Sequence, residues 1–266
     1  IKIKFFKNKI LILQTMSDFK HPLGNTKIRF LKSLSKIVSY LSTFLLSLFF
    51  KINKKNSELI ISSSFYAPWK DDRKFADLYP KIKNYTLLDT KRLYTLWQAS
   101  NMLKNYKGEI LDIGCLKGGA GMMMAKNNLS GNTFLIDTFS GLVESENLHR
   151  KEHFVFKNVQ NILNKVRKLN LKKTTVLKGI FPRDFQKKFK NKKFKLCHID
   201  VNTFKSTSQS FNFVKDKIIK NGIIVFDDYG IYSVFGVKKF VDNIMKKDKN
   251  FIFINNYMGQ CILIKK

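Results

Sequence analysis

From about residue 85 onward, short apolar runs alternate with amphipathic stretches, and this rhythm restricts the fold most. Gly108-Glu-Ile-Leu-Asp-Ile113 is an apolar run that stops at Gly114, which reads as a buried strand. Thr133–Asp137, Thr174–Lys178, Lys193–Asp200 and Ile223–Asp227 repeat the pattern. Between them, Gly119–Asn128, Phe154–Leu169, Ser206–Lys220 and Val237–Lys246 carry helical periodicity, and Tyr85–Tyr106 precedes the set. Asn221-Gly222 is expected to close the third of these helices as a left-handed cap. Phe251–Ile254 and Gln260–Ile264, separated by a short turn, read as a terminal hairpin. Strands alternating with helices at this spacing predict a doubly wound, mostly parallel, seven-stranded Rossmann-like α/β sheet ending in an antiparallel hairpin.

Residues 1–60 differ from the rest. They hold twelve Lys and Arg against Asp18 and Glu58. We therefore divide the chain into a basic, apolar N-terminal helical extension (1–60) and a main domain (61–266). The run Ile37–Phe50 is uncharged and flanked by Lys36 and Lys51. As a helix it would reach about 21 Å, short of the roughly 30 Å of bilayer hydrocarbon. It also lies too far in, and lacks a small-residue cleavage site, for a standard signal peptide. Three roles fit it: a helix packed on the domain, an interfacial membrane helix giving peripheral contact through residues 30–51, or a partner-binding arm.

The formal charge is +31, with 44 Lys but only 6 Arg. Groove-reading proteins favour the bidentate fork of Arg. Lys, Asn, Ile and Phe are also the residues of AT-rich codons. The excess is therefore expected to reflect composition rather than a specific nucleic-acid partner. A basic surface that favours anionic lipid or an acidic substrate remains open. With 44% apolar residues and 25 Phe the chain is not disordered, and three Cys do not make a disulfide scaffold. Cys115, Cys197 and Cys261 each sit in or beside apolar runs and are expected to be buried, reduced thiols of a cytoplasmic protein.

Three groups of residues suggest chemistry. Asp112-Ile-Gly114-Cys-Leu-Lys-Gly118-Gly119-Ala120 follows a strand and opens a helix, where glycines let the backbone approach a ligand and free N–H groups face an anion. An ordinary strand-to-helix turn would also account for it. Asp137, at the tip of the next strand, suits the two hydroxyls of a ribose, though it could equally cap a turn. Together these imply an adenosine-containing cofactor without a large phosphate cluster. His198-Ile-Asp200-Val-Asn202 and Phe226-Asp227-Asp228-Tyr229-Gly230 end adjacent strands, so Asp200, Asp227 and Asp228 are expected to converge at the sheet's carboxyl edge. Clustered carboxylates repel unless a proton or cation intervenes, and oxygen ligands suit Mg²⁺ or a similar ion. His149 and His153 have chelating i, i+4 spacing but no H-E-x-x-H context, and read more simply as polar residues on a helix. Lys187–Lys195 reads as a solvated loop running into the fourth strand.

Between about Thr86 and Lys265 the chain resembles the macrocin O-methyltransferase family. The resemblance rests on Glu109-Ile-Leu-Asp-Ile-Gly-Cys-Leu-Lys-Gly-Gly, Ile136-Asp-Thr-Phe-Ser-Gly-Leu142, Leu177-Lys-Gly-Ile-Phe-Pro182, His198-Ile-Asp-Val and Gly222-Ile-Ile-Val-Phe-Asp-Asp-Tyr-Gly230. Gly236–Asp242 and the final Gly259-Gln260 extend it. It implies an S-adenosylmethionine-dependent class I methyltransferase assisted by a divalent cation. By that resemblance, Asp112, Gly114, Gly118 and Gly119 would hold the methionine end and Asp137 the ribose. Asp200, Asp227 and Asp228 would bind the metal, with Asp200 also serving as general base. The acceptor would be a sugar or glycan hydroxyl. The alternatives are a phenolic or lipid-linked hydroxyl, or a non-catalytic protein bound to a membrane or polyanion. The chain departs from the family at Asp112, where Glu is usual, at Ala120 for Ser, and at Asn202 and Phe204 for Asp and Tyr. Residues 141–155 and 230–236 are expected to build the substrate pocket, the former as a lid. The sequence leaves the oligomeric state open.

Overall fold

The computed structural model describes residues 26–49, residue 60 and residues 66–266 apart from 147 and 232. It divides into two compact units, Ile1–Phe65 and Tyr66–Lys266. The first contains one described element, helix α1 (Thr26–Phe49). This helix includes most of the uncharged run; Phe50 and Lys51 lie outside the described residues. Among the described residues, no helix is long and apolar enough to cross a membrane.

The second unit opens with α2 (Pro68–Asp71), α3 (Arg73–Ile82) and α4 (Thr90–Met102). Then come β1 (Glu109–Ile113), α5 (Gly119–Lys126), β2 (Thr133–Asp137), α6 (Val159–Lys168) and β3 (Thr174–Lys178). The chain continues through α7 (Gln186–Phe189), β4 (Phe194–Ile199), α8 (Phe204–Val214), β5 (Ile218–Phe226), α9 (Phe235–Lys247), β6 (Phe251–Asn255) and β7 (Cys261–Lys265). The strands form one seven-stranded sheet in the order β3-β2-β1-β4-β5-β7-β6. β1 to β5 run parallel, and β7 is antiparallel to both neighbours. The expected doubly wound sheet with its terminal hairpin is present.

Alternation along the strands divides the core into two layers. Ile110, Leu135, Leu196, Ile223 and Val225 face Leu93, Leu96, Trp97 and Met122–Met124 on one side. Leu111, Ile136, Cys197, Ile224 and Phe226 face the other, where phenylalanines dominate. Phe211 on α8 is 1% exposed, with ring centroids 5.7–5.8 Å from Phe240, Phe226 and Phe251. All three cysteines are buried and free.

Local capping moves several boundaries. α4 begins at Thr90, not Tyr85, because the Asp89 carboxylate accepts the N–H groups of Lys91 (2.9 Å) and Arg92 (3.0 Å). α6 begins at Val159 rather than Phe154: Asn158 caps it through Asn161 N–H (3.1 Å), and Phe154 has φ 62°. α8 ends at Val214, and Asn221-Gly222 lies inside β5 instead of closing that helix. Asn221 keeps a left-handed φ of 62° there, in a strand whose pairing with β4 shifts register. Lys195 is not solvated. It is fully buried in β4, and its ammonium donates to Tyr106 O (3.1 Å), Lys104 O (3.3 Å) and Ser130 Oγ (3.2 Å).

The aromatic layer should dominate stability. Phe211→Ala is expected to cost about 3–5 kcal/mol, because the surrounding rings cannot fully close the cavity. Urea unfolding followed by circular dichroism measures this, and a loss under about 1 kcal/mol would contradict the packing described.

Candidate active site

The site forms where β1, β2, β4 and β5 end, and strand register decides which side chains meet. Asp112 on β1 and His198 on β4 are paired residues of neighbouring strands. Their side chains therefore project together from one face of the sheet. The same alternation carries Asp227, two residues beyond Val225, to that face. His198 Nδ1 lies 2.7 Å from Asp112 Oδ1, and Nε2 lies 3.1 Å from Asp227 Oδ2. All three residues are buried. Two carboxylate acceptors leave both imidazole nitrogens as donors, so the ring is a cation. Burial opposes that charge, but the hydrogen bonds and the charges of the two aspartates outweigh it and push the His198 pKa up to about 10.

Asp227 is held on every side. Oδ1 accepts from Arg92 Nη1 and from Asp228 N–H (2.9 Å), and Oδ2 accepts from His198 and from Gln260 Nε2 (2.9 Å). Burial works against its ionisation, yet these donors and the two cations hold its pKa below the ordinary value. Arg92 also reaches Asp228 Oδ1 (3.2 Å) and is braced by Asp89 (3.1 Å to Nε). Asp200 and Asp228 line the open cleft. Burial, followed by the negative charge of Asp227, raises the pKa of Asp228 to about 6. Burial, with Asp227 and Asp228 beside it, raises that of Asp200 strongly. The predicted convergence of Asp200, Asp227 and Asp228 is therefore present. A ring nitrogen of His198 and carboxylate oxygens of Asp200 and Asp227 lie within 4.8 Å of one another, but the doubly donating imidazolium has no lone pair for a cation, so only the carboxylates are candidate ligands.

The cleft has a volume of about 260 Å³. Gly114 lies on it with φ 85°, and a Cβ there would sit 1.9 Å from the carbonyl oxygen of Asp200. Glycine at this point lets the ends of β1 and β4 close together, which brings Asp200 beside the turn. Gly118 and Gly119 do not line the cleft. A Cβ on Gly118 would meet Leu135 and Ile162, and one on Gly119 the backbone of Tyr85, so both allow α5 to pack closely. Gly118 has φ 80° and sits at the N-cap of α5. Asp112 lines the cleft with Oδ2 buried and unpartnered. Asp137 lines the opposite side, its carboxylate oriented by the N–H groups of Leu116 (2.8 Å) and Phe139 (2.7 Å). Burial raises its pKa, and those two N–H groups pull it back.

The segment after β2 reaches across the cleft to α8. Glu144 accepts from Thr203 Oγ1 (2.7 Å), and Glu146 accepts the N–H of Phe204 (2.7 Å) at that helix's first turn. Leu142, Val143, His149 and Phe154 from this segment line the cleft, as do Ser233 and Val234 from the segment after β5. His149 and His153 are not on a helix; His149 pairs with Glu146 in an isolated bridge and His153 sits in a turn, their ring centroids 6.2 Å apart. Both ring nitrogens of His149 are buried and unpartnered. Burial, then His153, lowers its pKa, which leaves the ring neutral. Asn202 lines the cleft at φ 61°, a conformation asparagine tolerates.

Sequence reasoning assigned no role to Arg92, His198 or Gln260. A signal for Arg92 was available: it is one of six arginines among 44 lysines, and a planar fork serving several carboxylates is what lysine cannot supply.

A family model described as macrocin-O-methyltransferase (TylF) matches residues 9–256. No curated protein sequence gives a significant match. Among solved structures, the O-methyltransferase NovP superposes with a TM-score of 0.56 at 17% identity, over 68% of this chain and 82% of its own. The calicheamicin methyltransferase CalS11 gives 0.56 at 10% identity, over 77% and 99%. An O-methyltransferase from Bacillus cereus, in complex with SAH, gives 0.51 at 15% identity, over 72% and 91%. At these identities the structures establish the shared fold. The family model spans the whole glycine turn, both aspartate-bearing strand ends and the segment between them, and on that match the chain belongs to the macrocin-O-methyltransferase (TylF) family.

Proposed function

We propose that the protein transfers a methyl group from S-adenosylmethionine to a sugar or glycan hydroxyl, assisted by a divalent cation. One observation carries this reading. A single cleft collects Asp112, Asp137, Asp200 and Asp228 around the Gly114 turn, with Asp227 just behind. The unpartnered Oδ2 of Asp112 suits the ammonium of an amino-acid cofactor, since a buried carboxylate oxygen without a donor is costly. The oriented carboxylate of Asp137 retains lone pairs for ribose hydroxyls. Around His198, the four carboxylates of Asp112, Asp200, Asp227 and Asp228 face two protein cations, Arg92 and His198. That imbalance favours a dication, and oxygen donors favour Mg²⁺ or a similar ion.

Asp200, Asp228 and Asp227 would hold the cation. The first two have the spare acceptor capacity, and Asp227 is kept ionised by His198, Arg92 and Gln260. When bound, the cofactor supplies a methyl group activated by a sulfonium, and the cation supplies Lewis acidity that lowers the acceptor's pKa. His198 fixes Asp112 Oδ1, which leaves Oδ2 as the oxygen that would meet the ammonium of the cofactor. Asp200 would take the acceptor's proton. The segment carrying His149 and Phe154 covers the cleft and limits water, and His149 offers a neutral ring to an acceptor hydroxyl. Sugars are preferred as acceptors because the family is defined by macrocin-O-methyltransferase.

Asp112→Asn should weaken S-adenosylhomocysteine binding about tenfold to a hundredfold in titration calorimetry, the worth of one charged hydrogen bond. Unchanged affinity in a folded variant would remove Asp112 from the cofactor site. Asp200→Asn should reduce methyl transfer by at least about a hundredfold and leave cofactor affinity within about threefold. Activity is to be read by mass spectrometry on nucleotide sugars and cell-surface glycan fractions. Full turnover by this variant would rule out the proton-acceptor role. Treatment with EDTA should abolish transfer, and Mg²⁺ should restore it; indifference to EDTA would eliminate the cation.

A further inference from the structure

We infer that α1 docks on an anionic membrane surface, lying in the plane of the lipid–water interface. Phe30, Leu34, Ile37, Leu41, Leu45 and Leu48 recur every three or four residues and therefore share one face of the helix. Each is exposed, by 43% to 66%. An apolar stripe some 27 Å long is a large surface to leave in water, given a rise of about 1.5 Å per residue. The other side carries Ser35, Ser39, Ser42, Thr43 and Ser47 together with Leu46, and Ser39 there is buried. The helix thus has the two-sidedness of an interfacial element, and it is not apolar enough to span a bilayer.

Charge selects the occupant. Lys27, Arg29, Lys32 and Lys36 fall in the first eleven residues of the helix, which contains no Asp or Glu. A second copy of the helix would bring more cations and no carboxylate, whereas paired helices normally match opposite charges beside the apolar seam. Val38, also exposed, widens the stripe beyond such a seam. The sign of the charge in this part of the helix matches anionic headgroups, while the stripe enters the acyl boundary. The formal charge of +31 adds long-range attraction to the same surface. Membrane docking would hold the enzyme at the lipid surface through α1.

The full-length protein is to be sedimented with vesicles of phosphatidylglycerol mixed with phosphatidylcholine, and with vesicles of phosphatidylcholine alone. Pelleting is expected with the anionic vesicles only, and is expected to be lost at about 1 M salt, where the screening length falls to ~3 Å. Ile37→Ser/Leu41→Ser should weaken binding about tenfold or more by removing apolar burial, and Lys27→Glu/Lys32→Glu should do so by charge reversal. Methyl transfer to a soluble acceptor should be unaltered in both variants, so failure here is separable from failure of the catalytic reading. No pelleting of the parent protein, or equal pelleting of both variants, would overturn the inference. So would light scattering that shows the apolar variant turning a dimer into a monomer with no lipid dependence, since the face would then belong to a second copy.

Discussion

The active site depends on one buried contact, the His198 imidazolium between Asp112 and Asp227. Three parallel strands bring these side chains to the same face, Asp112 and His198 in register and Asp227 two residues beyond Val225, the partner of His198, and none reaches bulk water. Two adjacent buried carboxylates would repel each other and lose hydration. The cation between them makes the arrangement stable and gives each carboxylate a fixed orientation. One end of this bridge is Asp112, whose second oxygen is buried without a partner beside the cleft, and the other is Asp227, next to Asp200 and Asp228. The two halves of the site are therefore positioned by a single side chain.

Outside the bridge, charge is deliberately unbalanced. Arg92 arrives from α4, 135 residues before Asp227, and Gln260 arrives from the start of β7, 33 residues after it. Together they keep Asp227 ionised, while Asp200 and Asp228 face the cleft, Asp228 sharing Arg92 with it. A cleft of this kind attracts a cation and raises the proton affinity of whichever carboxylate remains unpaired. The segment after β2 adds a cover tied to α8 through Glu144 and Glu146, and it brings a neutral, unpartnered imidazole to the same space.

The N-terminal helix is physically unlike the sheet unit. The sheet buries two apolar layers and leaves charge at its edges, whereas α1 exposes its apolar face. A helix of that kind gains its stability from whatever surface covers it rather than from propensity alone. The fold of the sheet unit, by contrast, is decided by its own two apolar layers.

Much of this protein was legible in the linear chain. Apolar runs ending in Gly114, Asp137, Asp200 and Asp227 announce parallel strands, and ligands collect at their carboxyl ends, so the linear chain alone places the aspartates together. Composition also marked the first 60 residues as distinct. What the chain did not reveal is which side chains neutralise the aspartates, since Arg92 and Gln260 come from segments without a motif, brought in by the packing of α4 and the closure of β7. Likewise Gly118 and Gly119 turned out to serve helix packing, while Gly114 alone of the three borders the cleft. Periodicity reports which face of an element is buried; only the assembled sheet determines what lies across from it, because contact between distant segments depends on register, and register is a property of paired strands.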